Sequence, residues 1–415
     1  MKSEFILEDN ISVNNSRDWI VKKLGLLGKI VTGKTPPTTH PEYFGSDYPF
    51  LTPSDIKDSK FVDIVERGLS KKGLELLENF KIPPSSVTVS CIGSDMGKAV
   101  MIKKSCITNQ QFNSIIPNEL VEPNFLYYSL SNMKNLLKMM AAGGTAQPIL
   151  NKSDFAEIPI LIPPIEIQKK ISLILSGLDD IIELLKKQNF TLEKIIQSIF
   201  KSWFIDFGGQ IEFVDSELGD IPKGWRVTKI GSELKVITGG TPSRNNQTYW
   251  RNGTIPWITS KKTGELRIIS PDEYITEEGK ERSSTQEIPK RSTVLAIIGN
   301  TIGKVSLVEI SCCINQNVAA VLCNNEISSE FIYGWIKHMI NEITSWKSGG
   351  AQASLNQNSI KQSSLLIPDQ NSLKKYTETA RPIFDLIESN SIMTNKFEKI
   401  RDALLPKLIS GEIQV

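Results

Sequence analysis

The sequence predicts an α+β fold that occurs twice in one chain, together with two long helices that pair with each other. The first observation is a repeat, since Trp19 recurs as Trp225 at an offset of 206 positions. The same offset joins Gly33/Gly239, Thr35/Thr241, Pro36/Pro242, Gly97/Gly303, Lys98/Lys304, Asn109/Asn315 and Gln110/Gln316. The second is a run of short β-prone segments separated by Gly and Pro in each copy, and the third is a heptad pattern after each copy. A period near half the chain length is too long for a solenoid and predicts two domains that diverged after duplication.

Composition is that of an ordinary globular protein. The chain has 415 residues, 40% of them hydrophobic, which is enough for two or three domains. No apolar run approaches the roughly 20 residues of a membrane span, and the first 17 residues are too polar for a signal peptide. We therefore expect a cytoplasmic protein that does not contact a membrane. The five cysteines show no C-x-x-C spacing and only two histidines accompany them, so we expect buried free thiols and no bound metal.

Changes in local pattern divide the chain into two similar halves, each with a mixed block and a helical tail. The predicted segments are an N-terminal extension (1–16), a first α+β domain (17–164), a central long helix (165–207), a linker (208–222), a second α+β domain (223–368) and a C-terminal long helix (369–415). Predicted strands cover 86–92, 294–298 and 318–322. One amphipathic helix is expected in each block, from about Pro123 to Met140 and from about Ser329 to Trp346. We expect mixed, mainly antiparallel sheets.

The tails carry heptad repeats. In the first tail the a positions are Ile171, Leu178, Leu185, Leu192 and Ile199, and the d positions are Ile174, Ile181, Gln188, Ile195 and Ser202. In the second tail, at an offset of 205, the a positions are Tyr376, Ile383, Asn390, Phe397 and Leu404, and Leu386, Met393 and Ile400 are d positions. A 3.5-residue stripe cannot be buried by one helix, so the two helices should pair as a coiled coil. Either orientation is geometrically possible, but only antiparallel pairing gives the two halves a pseudo-two-fold axis, so we expect the two helices to be antiparallel.

Two features of these tails admit more than one interpretation. Pro382 should either start the regular part of the second helix or kink it, and Pro406 should mark its end. Gln188 and Asn390 place polar groups in the predicted seam. They either fix the register of the pair or are ordinary polar intrusions.

Net charge differs along the chain. Residues 17–157 carry 17 basic and 14 acidic side chains, residues 223–361 carry 17 and 12, and the remaining segments carry a net charge of about −6. This asymmetry suggests that the repeated blocks contact a polyanion, of which nucleic acid is the obvious one. A solvated surface with a small excess of charge is the alternative.

A glycine-rich sequence occurs in both copies, at 93–98 and 299–304, and ends in Lys98 and Lys304. A phosphate-binding P-loop reads G-x-x-x-x-G-K-[ST], whereas both copies are one residue short and have Ala99 and Val305 in place of the hydroxyl. The pattern therefore predicts a β-turn that presents a lysine. The two lysines are either phosphate contacts or ordinary exposed turn residues.

No catalytic constellation is recognisable. The chain lacks G-x-S-x-G, G-x-G-x-x-G and the Asn/Asp-Pro-Pro-Tyr type of motif, and neither histidine recurs in the other copy. We expect no cofactor on this chain. Repetition instead favours side chains that hydrogen-bond, because amides suit adenine edges and Lys or Arg suits guanine. Asn109 and Asn315 could read bases, or they could satisfy buried strand ends.

Loops that diverge between the copies are the better candidates for reading bases, and residues of the repeated motifs, such as Thr35, Lys98, Thr241 and Lys304, join them as candidates for DNA binding. In the first copy these candidates are Lys34, Thr35, Thr38, Thr39, Lys98 and Gln147. In the second copy they are Thr241, Ser243, Arg244, Asn245, Lys261, Lys262, Lys304 and Gln352.

Over nearly its full length the chain resembles the specificity subunit of type I restriction-modification systems. The resemblance rests on motifs at 18–19 and 224–225, 32–36 and 238–242, 43–44 and 249–250, 255–260, 299–304, 315–316, 200–207 and 405–413. The first copy departs from the pattern at Phe50-Leu51-Thr52-Pro53, where the second has Trp257-Ile258-Thr259-Ser260.

The resemblance implies that each α+β block is a target recognition domain that reads one half of a split, asymmetric sequence in double-stranded DNA. It implies that the paired helices fix the distance between the halves and dock two methylation subunits, and that endonuclease/translocase subunits join the complex. S-adenosylmethionine, ATP and Mg would then belong to those partners. Two rivals remain open: a self-sufficient nuclease that carries these domains, and a protein-only scaffold.

Overall fold

The computed structural model describes residues 18–57, 59–62, 65–93, 95–141, 149–345 and 354–415. The fold divides into two compact units, which are described separately. Unit 1 contains the chain up to Ile182 together with Phe397–Val415, and unit 2 contains Glu183–Lys396. Each unit therefore holds one α+β domain and one part of each long helix.

Unit 1 is built from short, mainly antiparallel strands. They are β1 (Ile20–Lys23), β2 (Gly28–Thr32), β3 (Phe44–Leu51), β4 (Arg67–Leu69), β5 (Val87–Ser90), β6 (Ala99–Met101), β7 (Ile107–Thr108), β8 (Phe112–Pro117) and β9 (Pro159–Ile162). Its shorter helices are α1 (Lys71–Leu76), α2 (Pro123–Asn132), α3 (Lys134–Ala141) and α4 (Lys152–Ala156), and the long helix α5 (Ile165–Phe204) begins here. The sheets have the orders β2-β8-β5-β6, β4-β3-β7 and β1-β9, and among these described strands β3 and β7 are the one pair that is parallel.

Unit 2 repeats this arrangement with additional strands. They are β10 (Phe213–Val214), β11 (Ile221–Pro222), β12 (Arg226–Lys229), β13 (Val236–Thr238), β14 (Ile255–Ile258), β15 (Arg267–Ile268), β16 (Glu273–Ile275), β17 (Gln286–Ile288), β18 (Thr293–Ala296), β19 (Val305–Val308), β20 (Cys312–Ile314), β21 (Val318–Val321) and β22 (Ser364–Ile367). Its helices are α6 (Ile230–Glu233), α7 (Glu277–Glu281), α8 (Ser329–Ser345), α9 (Gln357–Gln362) and the long helix α10 (Gln370–Ile409). The sheets have the orders β13-β21-β18-β19-β15, β16-β14-β20-β17, β12-β22 and β10-β11. The predicted α+β class and internal repeat are confirmed.

Strand register locates a one-residue difference between the two copies. Ile20 pairs with Ile162 in unit 1, and Arg226 pairs with Ile367 in unit 2. Ile20 and Arg226, in the first strands of the two domains, are 206 positions apart, whereas Ile162 and Ile367, in the last strands, are 205 apart. The residue is therefore lost between the first and last strands of the domain, before the long helix begins.

The two long helices contact each other in both units, and the contacts in unit 2 show that they are antiparallel. In unit 1, Arg401 donates a hydrogen bond to Asp179 at 2.9 Å. In unit 2, Asn189 donates to Ser391 at 3.1 Å. The rings of Phe204 and Tyr376 pack with their centroids 4.9 Å apart in the same unit. Residue numbers thus increase along α5 as they decrease along α10, and the predicted antiparallel orientation is confirmed.

The predicted a positions are buried or half-buried, whereas the predicted d positions are exposed and were wrongly assigned to the seam. Ile174, Ile181 and Ile195 are 39%, 40% and 42% exposed, and Leu386, Met393 and Ile400 on α10 are also exposed. The side chains that join the a positions follow them by four residues instead of three, and include Leu175, Ile182, Ile196, Ala380 and Ile387, all buried. Both spacings fit a 3.5-residue period, and α5 has aliphatic neighbours at 174/175, 181/182 and 195/196. Leu175 packs in the core of unit 1 and Ile196 in that of unit 2, so tertiary packing, which the heptad pattern does not contain, selects the buried member.

Three expectations about helix boundaries need correction. The helix expected from Pro123 to Met140 is two helices, α2 and α3, separated by Met133. The backbone N–H of Met133 donates to the carbonyl oxygens of Leu130 and Ser131 and so ends α2. Pro382 does not start α10, and α10 runs on past Pro406 to Ile409. The two polar seam candidates meet in unit 2, where Asn390 donates to Gln188 Oε1 at 3.4 Å.

The end of the chain completes the core of unit 1. Leu408 and Ile409 are buried in the same hydrophobic cluster as strands β5 and β9 and helix α2. Gly411 lies against Trp19, with 3.3 Å between the position of an added Cβ and the indole ring. The unit thus combines both ends of the described chain around one core.

Candidate nucleic-acid interface

A tight turn follows β2 in unit 1 and β13 in unit 2. A Cβ at Gly33 would lie 2.0 Å from the carbonyl oxygen of Asn109, and a Cβ at Gly239 would lie 1.7 Å from that of Ile314. No side chain fits at either distance, so only glycine allows the loop to pass this close to the neighbouring strand. This explains the shared Gly in the Thr-Gly-x-Thr-Pro motif.

The shared threonines and glutamines bind each other. Thr35 donates to Gln110 Oε1 at 2.6 Å in unit 1, and Thr241 donates to Gln316 Oε1 at 2.5 Å in unit 2. The hydroxyls of both DNA-binding candidates are therefore engaged within the protein. Their repeated role is to anchor the loop after β2 or β13 to the segment after β7 or β20.

The repeated asparagines also have a structural role. Asn109 accepts a hydrogen bond from the backbone N–H of Gln111, and Asn315 accepts one from that of Asn317, both at 3.1 Å. Asn315 is buried. Of the two interpretations left open by the sequence, the geometry favours the one in which these amides satisfy strand ends.

Exposed residues in these loops are those that differ between the copies. In unit 1, Thr38 and Thr39 are exposed, and the ammonium group of Lys34 lies 5.4 Å from the ring centroid of Phe80. In unit 2, Ser243, Arg244 and Asn245 are exposed at the corresponding loop. The candidates Gln147 and Gln352 lie outside the described residues.

Arg244 belongs to a compact cluster on unit 2. Its guanidinium carbon lies 3.6 Å from the ring centroid of Trp250, which meets Trp257 edge-on at 5.2 Å. Its Nη1 and Nη2 donate to the two carboxylate oxygens of Glu273 at 2.7 and 2.8 Å. These hydrogen bonds raise the pKa of Arg244 and lower that of Glu273, so both groups are charged at neutral pH. The indole N–H of Trp250 donates to the carbonyl of Ser243 at 3.1 Å, which holds the loop in place.

The glycine-rich sequences form turns between antiparallel strands. Gly97 and Gly303 have φ of +79° and +84°, and the turns join β5 to β6 and β18 to β19. A P-loop would instead lead into a helix, so the predicted turn is confirmed. Lys98 forms an ion pair with Asp95 at 2.9 Å, whereas Lys304 is exposed.

Lys261 and Lys262 occupy a second loop of unit 2, after β14. Lys261 is exposed, whereas Lys262 forms an ion pair with Glu265 at 3.2 Å and is mostly covered. Of the two, Lys261 is the better placed to meet a phosphate from solution.

A buried charge network, which sequence reasoning missed, connects the domain of unit 2 to α5. Arg267 has a fully buried side chain, whose Nη1 lies 3.6 Å from Glu193 and whose Nε lies 3.5 Å from Glu309. Glu193 also accepts hydrogen bonds from Tyr333 at 2.9 Å and from Lys337 at 2.6 Å. Burial opposes the charge on Glu193, but Lys337 and Arg267 outweigh it and lower the pKa of this carboxyl.

Unit 1 has a corresponding connection through different residues. Tyr128 on α2 donates to Asp179 on α5 at 2.5 Å, and Asp179 also pairs with Arg401 of α10. Lys60 donates to Tyr128 at 3.3 Å and to Ser176 at 2.9 Å. Burial, followed by the charge of Asp179, raises the pKa of Tyr128, so this phenol stays a donor. Tyr333 recurs at the position of Tyr127. However, Tyr333 donates to Glu193 in unit 2, whereas in unit 1 it is the neighbouring Tyr128 that donates to Asp179, so the repeat does not predict these contacts.

We predict that Glu309 makes unit 2 less stable as the pH rises. Burial raises the pKa of this carboxyl from 4.5 to about 7, although Arg291 and Arg267 oppose the shift, as does Lys290, whereas Glu388 adds to it. The folded protein then holds a proton that the unfolded chain releases, so the free energy of unfolding falls between about pH 4.5 and 7.

Denaturant unfolding of the wild type and of Glu309→Gln at several pH values checks this expectation. Because the glutamine at position 309 does not titrate, the free energy of unfolding of the variant should fall less between about pH 4.5 and 7. Glu281→Gln, at an exposed carboxyl, is the control. An equal decline in all three proteins would show that Glu309 is ionised in the folded state.

Other candidate chemistry is weak in the described part of the chain. There, Cys91, Cys106, Cys312 and Cys313 are buried free thiols, and Cys323 is half-buried. No group of three or more metal-ligating side chains occurs among the residues that the structure describes. None of the described helices is both long enough and apolar enough to cross a bilayer.

Comparison with known proteins identifies the class to which this architecture belongs. Two stretches, residues 16–194 and 222–401, match the type I restriction modification DNA specificity domain. The structure of the type I restriction-modification S subunit from M. genitalium has a TM-score of 0.60 at 16% identity, and the match covers 96% of this chain and 98% of that one.

Sequence relatives agree with the domain match. The type I restriction enzyme MjaIX specificity subunit of Methanocaldococcus jannaschii is 33% identical over 411 residues, which are 96% of this chain and 94% of the relative. The HindI specificity subunit of Haemophilus influenzae is 24% identical over 95% of this chain and all of the relative. The chain belongs to the type I restriction-modification DNA specificity family, and it contains two tandem copies of the family's domain. The resemblance found in the sequence is confirmed.

Proposed function

We propose that this chain reads a bipartite, asymmetric sequence in double-stranded DNA for a type I restriction-modification complex, and that it performs no catalysis itself. The observation that carries the proposal is that repeated and divergent residues occupy different places in each unit. Repeated side chains such as Thr35 and Thr241 bind partners inside each unit, whereas divergent ones such as Thr38 and Arg244 face solvent. One framework that presents different side chains suits two half-sites of different sequence.

Phosphate contacts would come from exposed lysines around these loops. Lys34, Lys261 and Lys304 are exposed, and the two recognition blocks carry the net positive charge of the chain. Lysines of this kind fix the register of a protein on DNA, and base edges in the major groove supply specificity. Action on chromosomal DNA would place the protein in the cytoplasm.

Docking of two methylation subunits on the long helices is the second part of the proposal. Both helices carry exposed apolar side chains outside their own seam, and Leu184 and Phe190 are 56% and 58% exposed. The exposed set is Leu173, Ile174, Ile181 and Ile400 in unit 1, and Leu184, Phe190, Ile195, Leu386, Ile392 and Met393 in unit 2. Exposed apolar side chains of this kind form protein interfaces when they are contiguous, which makes these helix faces the candidate docking sites. S-adenosylmethionine, ATP and Mg would be bound by the methylation and endonuclease/translocase subunits.

Reconstitution tests the proposed function. The purified chain with DNA, Mg and S-adenosylmethionine should bind DNA with an affinity that falls as salt rises, and should neither cleave nor methylate it. Adding the methylation subunits should produce methylated adenine within a split motif, and the same motif should disappear from the genome when the gene is deleted.

Each rival predicts a different result in this experiment. Methyl transfer or cleavage by the chain alone would establish the self-sufficient enzyme. An absence of salt-dependent DNA affinity would favour the protein-only scaffold.

A further inference from the structure

The cluster around Arg244 has the features of a base-reading device. Four side chains form it: the guanidinium of Arg244, the indoles of Trp250 and Trp257, and the carboxylate of Glu273. The side chain of Arg244 is 50% exposed, although it is held on one face and at its end. An exposed arginine fixed in this way loses little conformational freedom when it meets a ligand.

The hydrogen bonds of the cluster leave one edge of the guanidinium free. Glu273 occupies the edge formed by Nη1 and Nη2. A guanidinium has five N–H donors, and the second edge, formed by Nε–H and the outer N–H of Nη2, has no acceptor among the residues that the structure describes. Two parallel donors on one edge match the O6 and N7 acceptors of guanine in the major groove.

The indole of Trp250 sets the plane of that edge. Its ring lies 3.6 Å from the guanidinium carbon and Trp257 lies 5.2 Å away, so Arg244 is stacked on an aromatic face. Stacking stabilises the cation and prevents rotation out of the plane. Lysine cannot reproduce this planar geometry.

Unit 1 keeps aromatic rings at the two tryptophan positions of this cluster but lacks its charged pair. The positions equivalent to Arg244, Trp250 and Glu273 are Thr38, Phe44 and Arg67, and strand pairing places Phe50 at the position of Trp257. The fold around them is repeated, including the tight turn at Gly33 and Gly239 and the Thr–Gln hydrogen bond. An arginine–carboxylate pair that one copy has and the other lacks is expected of residues that read only one half-site.

We propose that Arg244 reads a guanine in the half-site recognised by unit 2, through its Nε and Nη2 edge, with Glu273 and Trp250 as positioning residues. This inference rests on the proposed function. Adenine presents an amino donor where guanine presents O6, so it would face the guanidinium donors. A good bidentate contact discriminates against the wrong base by roughly 5- to 150-fold.

The test uses the reconstituted complex of this chain with its methylation subunits, and sequences the methylated sites recovered from a random DNA library. Exchanging the two domains separately with those of another specificity subunit shows which half-site belongs to unit 2. In the wild-type motif, that half-site should contain a guanine. Arg244→Ala should relax that single position and leave the other half-site unchanged. Glu273→Gln should relax the same position less. Arg282→Ala, at an exposed arginine paired with Glu278, is the matched control and should keep the full motif.

A second measurement does not depend on the folding of a variant. Replacing the assigned guanine by 7-deazaguanine removes the N7 acceptor and should weaken binding by the wild-type complex, while the Arg244→Ala complex should respond little. An unchanged motif in Arg244→Ala, equal weakening at every sequence, or a unit 2 half-site without a G·C pair would overturn the assignment. Failure of the proposed function itself would differ, because the wild-type complex would then show no split motif.

Discussion

Inserting seven residues in each long helix should lengthen the gap between the two half-sites by about three base pairs and leave the half-site sequences unchanged. The insertions belong after Gln188 in α5 and after Asn390 in α10, because these two residues face each other in unit 2. Seven residues restore the 3.5-residue seam on both helices and add about 10 Å of helix. At 3.4 Å per base pair this corresponds to about three base pairs. Sequencing of methylated sites gives the gap directly.

An insertion in α5 alone is the control for this experiment. It should abolish site-specific methylation, since it puts seven residues without partners opposite an unchanged α10 and moves the seam of one helix past the other. A changed half-site sequence after the paired insertions would show that the helices do more than set distance. An unchanged gap would remove their role as a ruler.

Arg267→Met should lower the free energy of unfolding of unit 2 by about 3–5 kcal/mol, the usual cost of removing one partner from a buried ion pair. The side chain of Arg267 is fully buried, and Glu193 and Glu309 would lose a positive charge within 3.6 Å. Urea denaturation of the purified chain measures the change. Above pH 7, part of the loss should be recovered when Glu309→Gln is added, because Arg291, 3.1 Å from Glu309, then faces a neutral amide and one of the two carboxylates that Arg267 neutralised is gone.

Arg282→Met is the matched surface variant, since Arg282 lies 70% exposed beside Glu278 and such pairs contribute at most about 1 kcal/mol. Equal effects of the two substitutions would mean that burial of the Arg267 network has no energetic consequence. A stabilised Arg267→Met protein would show that methionine packing outweighs the ion pairs.

The repeat allowed the framework to be predicted, because residues that hold the same backbone contact must recur. Gly33 and Gly239 recur since neither site accommodates a Cβ. The seam was only half predicted, because Ile181 and Ile182 are both aliphatic and tertiary packing, which the pattern does not contain, decides which is buried.

The polar clusters depend on contacts that lie far apart in the chain. Arg244 could be named as a candidate from its loop, but Glu273 lies 29 residues further on, in β16. The position equivalent to Arg267 in the first copy is Phe61, so comparison of the copies gave no sign of a buried charge.

The packing of the chain end against Trp19 has a consequence for the order in which the protein folds during synthesis. Unit 2 is continuous in sequence from Glu183 to Lys396, whereas unit 1 needs Phe397–Val415. The ribosome therefore releases every part of the second domain before the first domain can bury Leu408 and Ile409. The domain that is translated first is the last to be completed, and until then its unfinished apolar surface is exposed to the cell.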